Sequence, residues 1–134
     1  MNSNSFVARL LMALGAINMA TTVALGAAGR HGLQARLASH DPGGWFQTAL
    51  TYHQLHAIGL LIVGLTLVRW PSSRWLLASG LALLAGILLF SGNLYLRSLA
   101  GIHVFHAVTP LGGMAFILGW ICFAIGVLKP PSAP

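Results

Sequence analysis

Two pairs of histidines are the residues in this chain whose type and spacing could do chemistry. His53 and His56 stand in Thr51-Tyr52-His53-Gln54-Leu55-His56-Ala57, and His103 and His106 repeat the spacing in His103-Val104-Phe105-His106-Ala107. Positions i and i+3 share a helix face, so the first pair can converge on one ligand, and the second can if its segment is helical. Neutral imidazoles bind zinc, copper or haem iron. Two pairs meeting would supply a tetrahedral zinc or copper set, and one histidine from each of two helices would sandwich a haem. His53, His56, His103 and His106 are therefore the candidate metal ligands. The plainer alternative is that each histidine hydrogen-bonds a neighbouring helix, for an average of about 0.6 kcal/mol in a membrane. A metal-bound imidazole needs an orienting acceptor. Asp41 is the one carboxylate in the chain, so Gln54 or backbone carbonyls would have to serve otherwise.

The elements that must position these side chains are written in the composition. The 134 residues, enough for one domain, are 57% hydrophobic and 6% charged, with a mean hydropathy of +0.82. A soluble domain carries about 25% charged residues, so this chain cannot cover itself with a water-soluble surface and its solvent is lipid. The net charge of +6 comes from Arg9, Arg30, Arg36, Arg69, Arg74, Arg97 and Lys129, set singly at the edges of apolar runs. That is the pattern of membrane-edge anchors, not of a phosphate-binding stripe, and it excludes nucleic acid as a partner. Cys122, the single cysteine, lies in an apolar run as a small packing residue.

Four runs are long enough to cross a bilayer as helices, over about 6–28, 46–68, 75–96 and 110–128. The expected fold is all-α, an integral membrane bundle of four transmembrane helices forming one domain. The first run is long for a leader peptide and reads as a retained helix. Its Ala16, Ala20, Ala24 and Ala28 make a stripe of small side chains, a device that lets helices approach closely in lipid. Ala78, Ala82 and Gly86 repeat the device in the third run. Residues 29–44 read as a loop, Trp45 and Phe46 as an interfacial aromatic anchor, and the polar residues opening the second run as facing the bundle. The third connection is expected over 97–107, with Thr109 capping the last helix and Pro110 in its first turn.

Four crossings place all six histidines on one side of the membrane or just inside it. The opposite side holds both termini and the 69–75 turn, with Arg9, Arg69, Arg74 and Lys129 against Arg30, Arg36 and Arg97. The positive-inside rule then favours cytoplasmic termini. With no Asp or Glu in any crossing, carboxylate-based proton coupling within one chain is excluded. Ser91 has no recognisable base beside it in the sequence. The glycine pairs lack the context of a phosphate loop and read as helix packing.

Several segments carry a family resemblance. Gly26-Ala27-Ala28-Gly29-Arg30-His31-Gly32-Leu33 resembles a glycine- and histidine-bearing segment of the YgdD-like small membrane proteins, domain-of-unknown-function family 423, also called the UPF0382 family. Trp45 with Thr48-Ala49 and Tyr52-His53-Gln54-Leu55-His56-Ala57 is similar to that family's second-helix motif. Leu89-Phe90-Ser91-Gly92-Asn93-Leu94-Tyr95-Leu96 and Thr109-Pro110-Leu111-Gly112-Gly113 are similar to two later motifs. The chain departs from the pattern at Arg30, His53 and Asn93, and its His103 and His106 fall in a connection with no counterpart. The resemblance implies a multi-pass bacterial inner-membrane protein with its first helix retained and no established activity. It also implies that a shared polar site would use His31, Tyr52, His56, Ser91 and Thr109.

The function expected from these features is that of a non-enzymatic structural or accessory membrane protein, a homo-oligomer or part of a larger membrane complex. A histidine-based metal- or haem-binding bundle is the second expectation. Small-solute transport by an oligomer is the third.

Overall fold

A backbone in lipid must satisfy its own polar groups, so uninterrupted apolar runs become helices. The computed structural model describes residues 3–103 and 107–129. Four stretches in it are long and apolar enough to cross a membrane: Ser5–His31, Trp45–Arg69, Arg74–Ala100 and Val108–Leu128. In detail the elements are α1 (Ser3–His31), α2 (Gln34–His40), α3 (Trp45–Arg69), α4 (Arg74–Gly86), a π-helical segment (Ile87–Gly92), α5 (Asn93–Ala100) and α6 (Val108–Leu128). The all-α membrane architecture expected from the sequence is the one observed.

Three boundaries differ from expectation. Residues 29–44 are not a plain loop: α1 continues to His31, and Gln34–His40 forms the two-turn helix α2. Gln34, Ala35, Arg36 and Leu37 are all good helix formers, which outweighs the flanking glycines. The third span does not end near Leu96 but runs on to Ala100. Its stop is Gly101, in the left-handed region at φ 65, with its N–H bonded to Arg97 O. Thr109 is not the cap of α6, since Ala107 takes that position and Thr109 lies inside the helix. By contrast, Ser73 caps α4, its Oγ accepting from Leu76 N at 3.4 Å.

Gly101 also carries a contact between elements. A Cβ there would lie 2.7 Å from His40 Cδ2, so α2 folds down onto the end of α5 at this point. Gly101→Ala is expected to destabilise the protein by about 1–2 kcal/mol, the left-handed penalty for a side chain. Gly92→Ala, where the nearest atom is Ile87 O at 3.8 Å, should stay within about 0.5 kcal/mol. Denaturant unfolding in detergent compares the two.

The spans pack antiparallel. α1 lies chiefly on α3, and α6 on α4 and the π segment, with α3 and the third span between them. The close approaches are made by glycines rather than by the alanine stripe. A Cβ on Gly15 would sit 2.9 Å from Ala57 O, so α1 and α3 touch backbone to backbone there. Lipid gives helices no hydrophobic reason to associate, and contacts of this kind supply the van der Waals packing that does. Ala16, Ala20 and Ala24 face outward instead. Of the second stripe, Gly86 is buried, Ala82 is half-buried and Ala78 is exposed.

The interior is divided. Ala8, Leu11, Val63, Leu67, Leu76 and Leu83 fill the half nearer the 69–74 turn with apolar side chains. The other half holds most of the buried polar groups, among them His53, His56, Asn93 and Ser98, while Ser73, the cap of α4, and Ser79 in its first half are buried in the apolar half. Antiparallel packing forces this division, because the polar ends of α3 and the third span come to the same level.

Candidate functional site

The polar half is built by hydrogen bonds between spans. Asn18 of α1 donates its amide to Leu14 O, four residues back, at 2.8 Å. Its Oδ1 is thereby turned toward α3, where His53 Nε2 lies 2.8 Å away. Since Oδ1 can only accept, Nε2 carries the proton, and His53 Nδ1 is left to accept from the Tyr95 hydroxyl at 3.4 Å. One imidazole thus joins α1, α3 and α5.

His56, one turn on, turns elsewhere. Its Nδ1 donates to Tyr52 O at 2.6 Å, which leaves the Nε2 lone pair facing away from its own helix. The ring stacks on Phe116 of α6, centroids 3.4 Å apart and planes 12° from parallel. Tyr52 stacks with His56 and meets Phe90 of the π segment at 4.6 Å. The π segment carries Phe90 into this aromatic group, and such segments occur often at functional sites.

His103 packs edge-on against Trp45, 5.5 Å between centroids, and the Arg97 guanidinium covers the same indole at 4.3 Å. His106 lies outside the described residues. Among the described residues, no three His, Cys, Asp or Glu side chains gather as a metal set. His53 has both ring nitrogens engaged by protein, His56 keeps one lone pair, and His103 lies against Trp45. These are the positions of the expected zinc, copper or haem ligands. Asp41 is used at another site: its two carboxylate oxygens accept from Trp45 N at 2.6 Å and Phe46 N at 3.1 Å, capping α3.

The second candidate set is brought together in part. Tyr52 and His56 touch. Thr109 Oγ1 accepts from Asn93 Nδ2 at 2.7 Å, tying α6 to α5. Ser91 is fully buried on the π segment, its Oγ without a hydrogen-bond partner among the described residues. His31 is exposed at the end of α1 and joins neither group.

Two expectations need correction. Phe46 is no interfacial anchor: it is 5% exposed and packs under Gly29 and against Tyr95. The polar residues opening α3 do not all face the bundle. Thr48 and Thr51 are exposed, and their hydroxyls are satisfied by Gly44 O and Gln47 O one turn back. The sequence reading missed Tyr95 and did not pair Asn18 with His53. A lone amide inside an apolar run was the available signal, since polar groups at membrane depth seek partners.

Chemically, these are hydrogen-bonded and stacked neutral groups whose donors are mostly consumed in joining spans. Comparison with known proteins agrees with the architecture. The family model described as "Protein of unknown function (DUF423)" matches residues 25–113. The chain is 38% identical over 121 residues to the UPF0382 membrane protein YwdK of Bacillus subtilis, covering 90% of this chain and 98% of that one. It is 39% identical to the UPF0382 membrane protein SAB0533 of Staphylococcus aureus, over 90% and 97% of the two chains. With the UPF0382 inner membrane protein YgdD of Escherichia coli K12 the identity is 34%, over 90% and 91%. No solved structure matches. With four membrane-length helices and relatives matched nearly end to end, the chain belongs to the DUF423 (UPF0382) family of membrane proteins.

Proposed function

We propose that this chain is a non-enzymatic accessory protein of the bacterial inner membrane that assembles with a second copy of itself through α1. The observation that carries this reading is the orientation of the alanine stripe. Ala16, Ala20 and Ala24 are exposed, whereas Ala8, Leu11, Gly15 and Thr22 of the same helix are buried inside the chain. α1 buries 17% of its most apolar stretch, against 44% for α3. A helix needs only lipid-soluble side chains to face lipid. Small ones at spacing four add the capacity to bring another helix close.

Both termini are assigned to the cytoplasm. Arg9, Arg69, Arg74 and Lys129 on their side, against Arg30, Arg36 and Arg97 on the other, support that orientation. The inner-membrane location is supported by the name of the Escherichia coli relative.

Ala20→Leu tests the assembly. Subunit counting by photobleaching in lipid bilayers should give dimers for the unmodified chain and monomers for the variant. A cost of about 1.4 kcal/mol at the interface already lowers the association constant tenfold. Monomers in both would overturn the reading, as would dimers in both.

A further inference from the structure

Away from the histidines, α1, α2 and the first turns of α3 enclose a crevice of about 430 Å³. Arg30, Gln47 and Gln54 supply polar groups to it, and Leu37, Phe46 and Leu50 supply apolar wall. Three features of this lining point to a ligand. The Arg30 guanidinium has no carboxylate partner among the described residues, because the one acid in the crevice, Asp41, is bound through both oxygens to the start of α3. Asp41 keeps its charge, so the crevice is formally balanced, but its oxygens are taken up by α3 and the Arg30 guanidinium is the charged group there left to meet an anion. Gln54 is half-buried, ten positions into a membrane-spanning helix, and its amide has no hydrogen-bond partner among the described residues. At that depth lipid offers no water to satisfy it. Gln47 and Gln54 are two turns apart on one face of α3, about 10 Å along the axis. The polar groups thus run from the membrane edge inward beside an apolar wall.

We propose that this crevice binds an anionic phospholipid, its phosphate held by Arg30 and Gln47 and a glycerol-ester carbonyl by Gln54. A small soluble anion would use Arg30 but would leave the Phe46–Leu50 wall and the Gln54 amide unmatched. A glycerophospholipid matches all three, with its acyl tails remaining in the bilayer. A free arginine at the membrane edge attracts a lipid phosphate on the same electrostatic grounds that draw anionic headgroups to basic segments. The partner is also the protein's own solvent.

The test titrates dioctanoyl phosphatidylglycerol into the full chain in neutral detergent, with dioctanoyl phosphatidylcholine in parallel, and reads bound lipid by native mass spectrometry. The unmodified protein should hold one phosphatidylglycerol in preference to phosphatidylcholine. Arg30→Ala should weaken it about tenfold, the size of one charge-assisted hydrogen bond. Gln54→Leu, which suits a membrane helix and leaves folding intact, should weaken it about threefold, as for a neutral hydrogen bond. Arg36→Ala removes an exposed arginine of α2 that does not line the crevice, and it should leave affinity unchanged. Equal loss in Arg36→Ala and Arg30→Ala would overturn the site in favour of general charge attraction. Equal binding of phosphatidylcholine would overturn it as well. So would displacement of the lipid by millimolar glycerol phosphate, which would mark a soluble-anion site.

Discussion

Gly112→Ala is expected to cost about 3 kcal/mol or more, the upper range for overpacking. The added Cβ would fall inside any real contact distance of Phe90 N and 2.8 Å from the Leu89 carbonyl carbon. Both atoms are backbone of the π segment, so no rotamer change relieves the clash; α6 or the third span must move bodily. Movement there also separates Phe116 from His56 and Phe90, the aromatic group that joins α6 to α3 and the π segment. Gly113 is the control. A Cβ on it meets the Phe90 ring at 3.8 Å, an ordinary contact. Gly113→Ala should be neutral or stabilising by up to about 1 kcal/mol, since glycine is the weaker helix former. Reversible denaturant unfolding in mixed micelles, followed by helical circular dichroism, reads both. Similar midpoints for the two variants would mean that α6 does not sit on the π segment as described.

The second large effect is at His53. His53→Leu keeps the volume and removes the imidazole that joins Asn18 Oδ1 and the Tyr95 hydroxyl. A group orphaned in a protein interior costs about 1–3 kcal/mol. In membranes, measured hydrogen bonds between helices average about 0.6 and reach about 1.7 kcal/mol, because the unfolded chain in lipid also finds partners. The expected loss for His53→Leu is therefore about 2 kcal/mol. Asn18→Leu added to it should restore part of that loss, since it removes the orphaned Oδ1 acceptor. The sign of this coupling is the decisive readout. Strictly additive losses from His53→Leu and Asn18→Leu would show that the two side chains do not meet, and would free His53 Nε2 for other duties. The same pair of variants separates a structural histidine from a ligand, because a ligand cannot be recovered by changing Asn18.

The polar half shows what sequence spacing conveys and what it does not. His53 and His56 were legible as a pair on one turn, and their depth followed from the four crossings. Their partners were not legible. An i, i+3 pair on a helix is offset by about 60° around the axis at 3.6 residues per turn. In the bundle that offset is enough to direct His53 toward α1 and α5 and His56 toward α6. The alanine stripe shows the same limit. Spacing four identified a face of small residues correctly, but spacing cannot say which face of α1 meets α3. Gly15, next to Ala16 and 100° away around the helix, makes the contact instead.

The sequence by itself determined the solvent, the helix class and the approximate spans. These follow from one-dimensional quantities: apolar run length against bilayer thickness, and too few charges for a water-facing surface. It also placed the loop histidines His31, His40 and His103 on one side, since two crossings separate the first two from the third. The tertiary structure decided the rest. It set which spans touch, where the π segment lets α6 approach, how Asp41 is consumed as a helix cap, and which polar side chains are left without partners. Those outcomes depend on rotations about helix axes and on sub-ångström fits between backbones. In lipid, where apolar burial does not discriminate one helix face from another, such fits decide the packing.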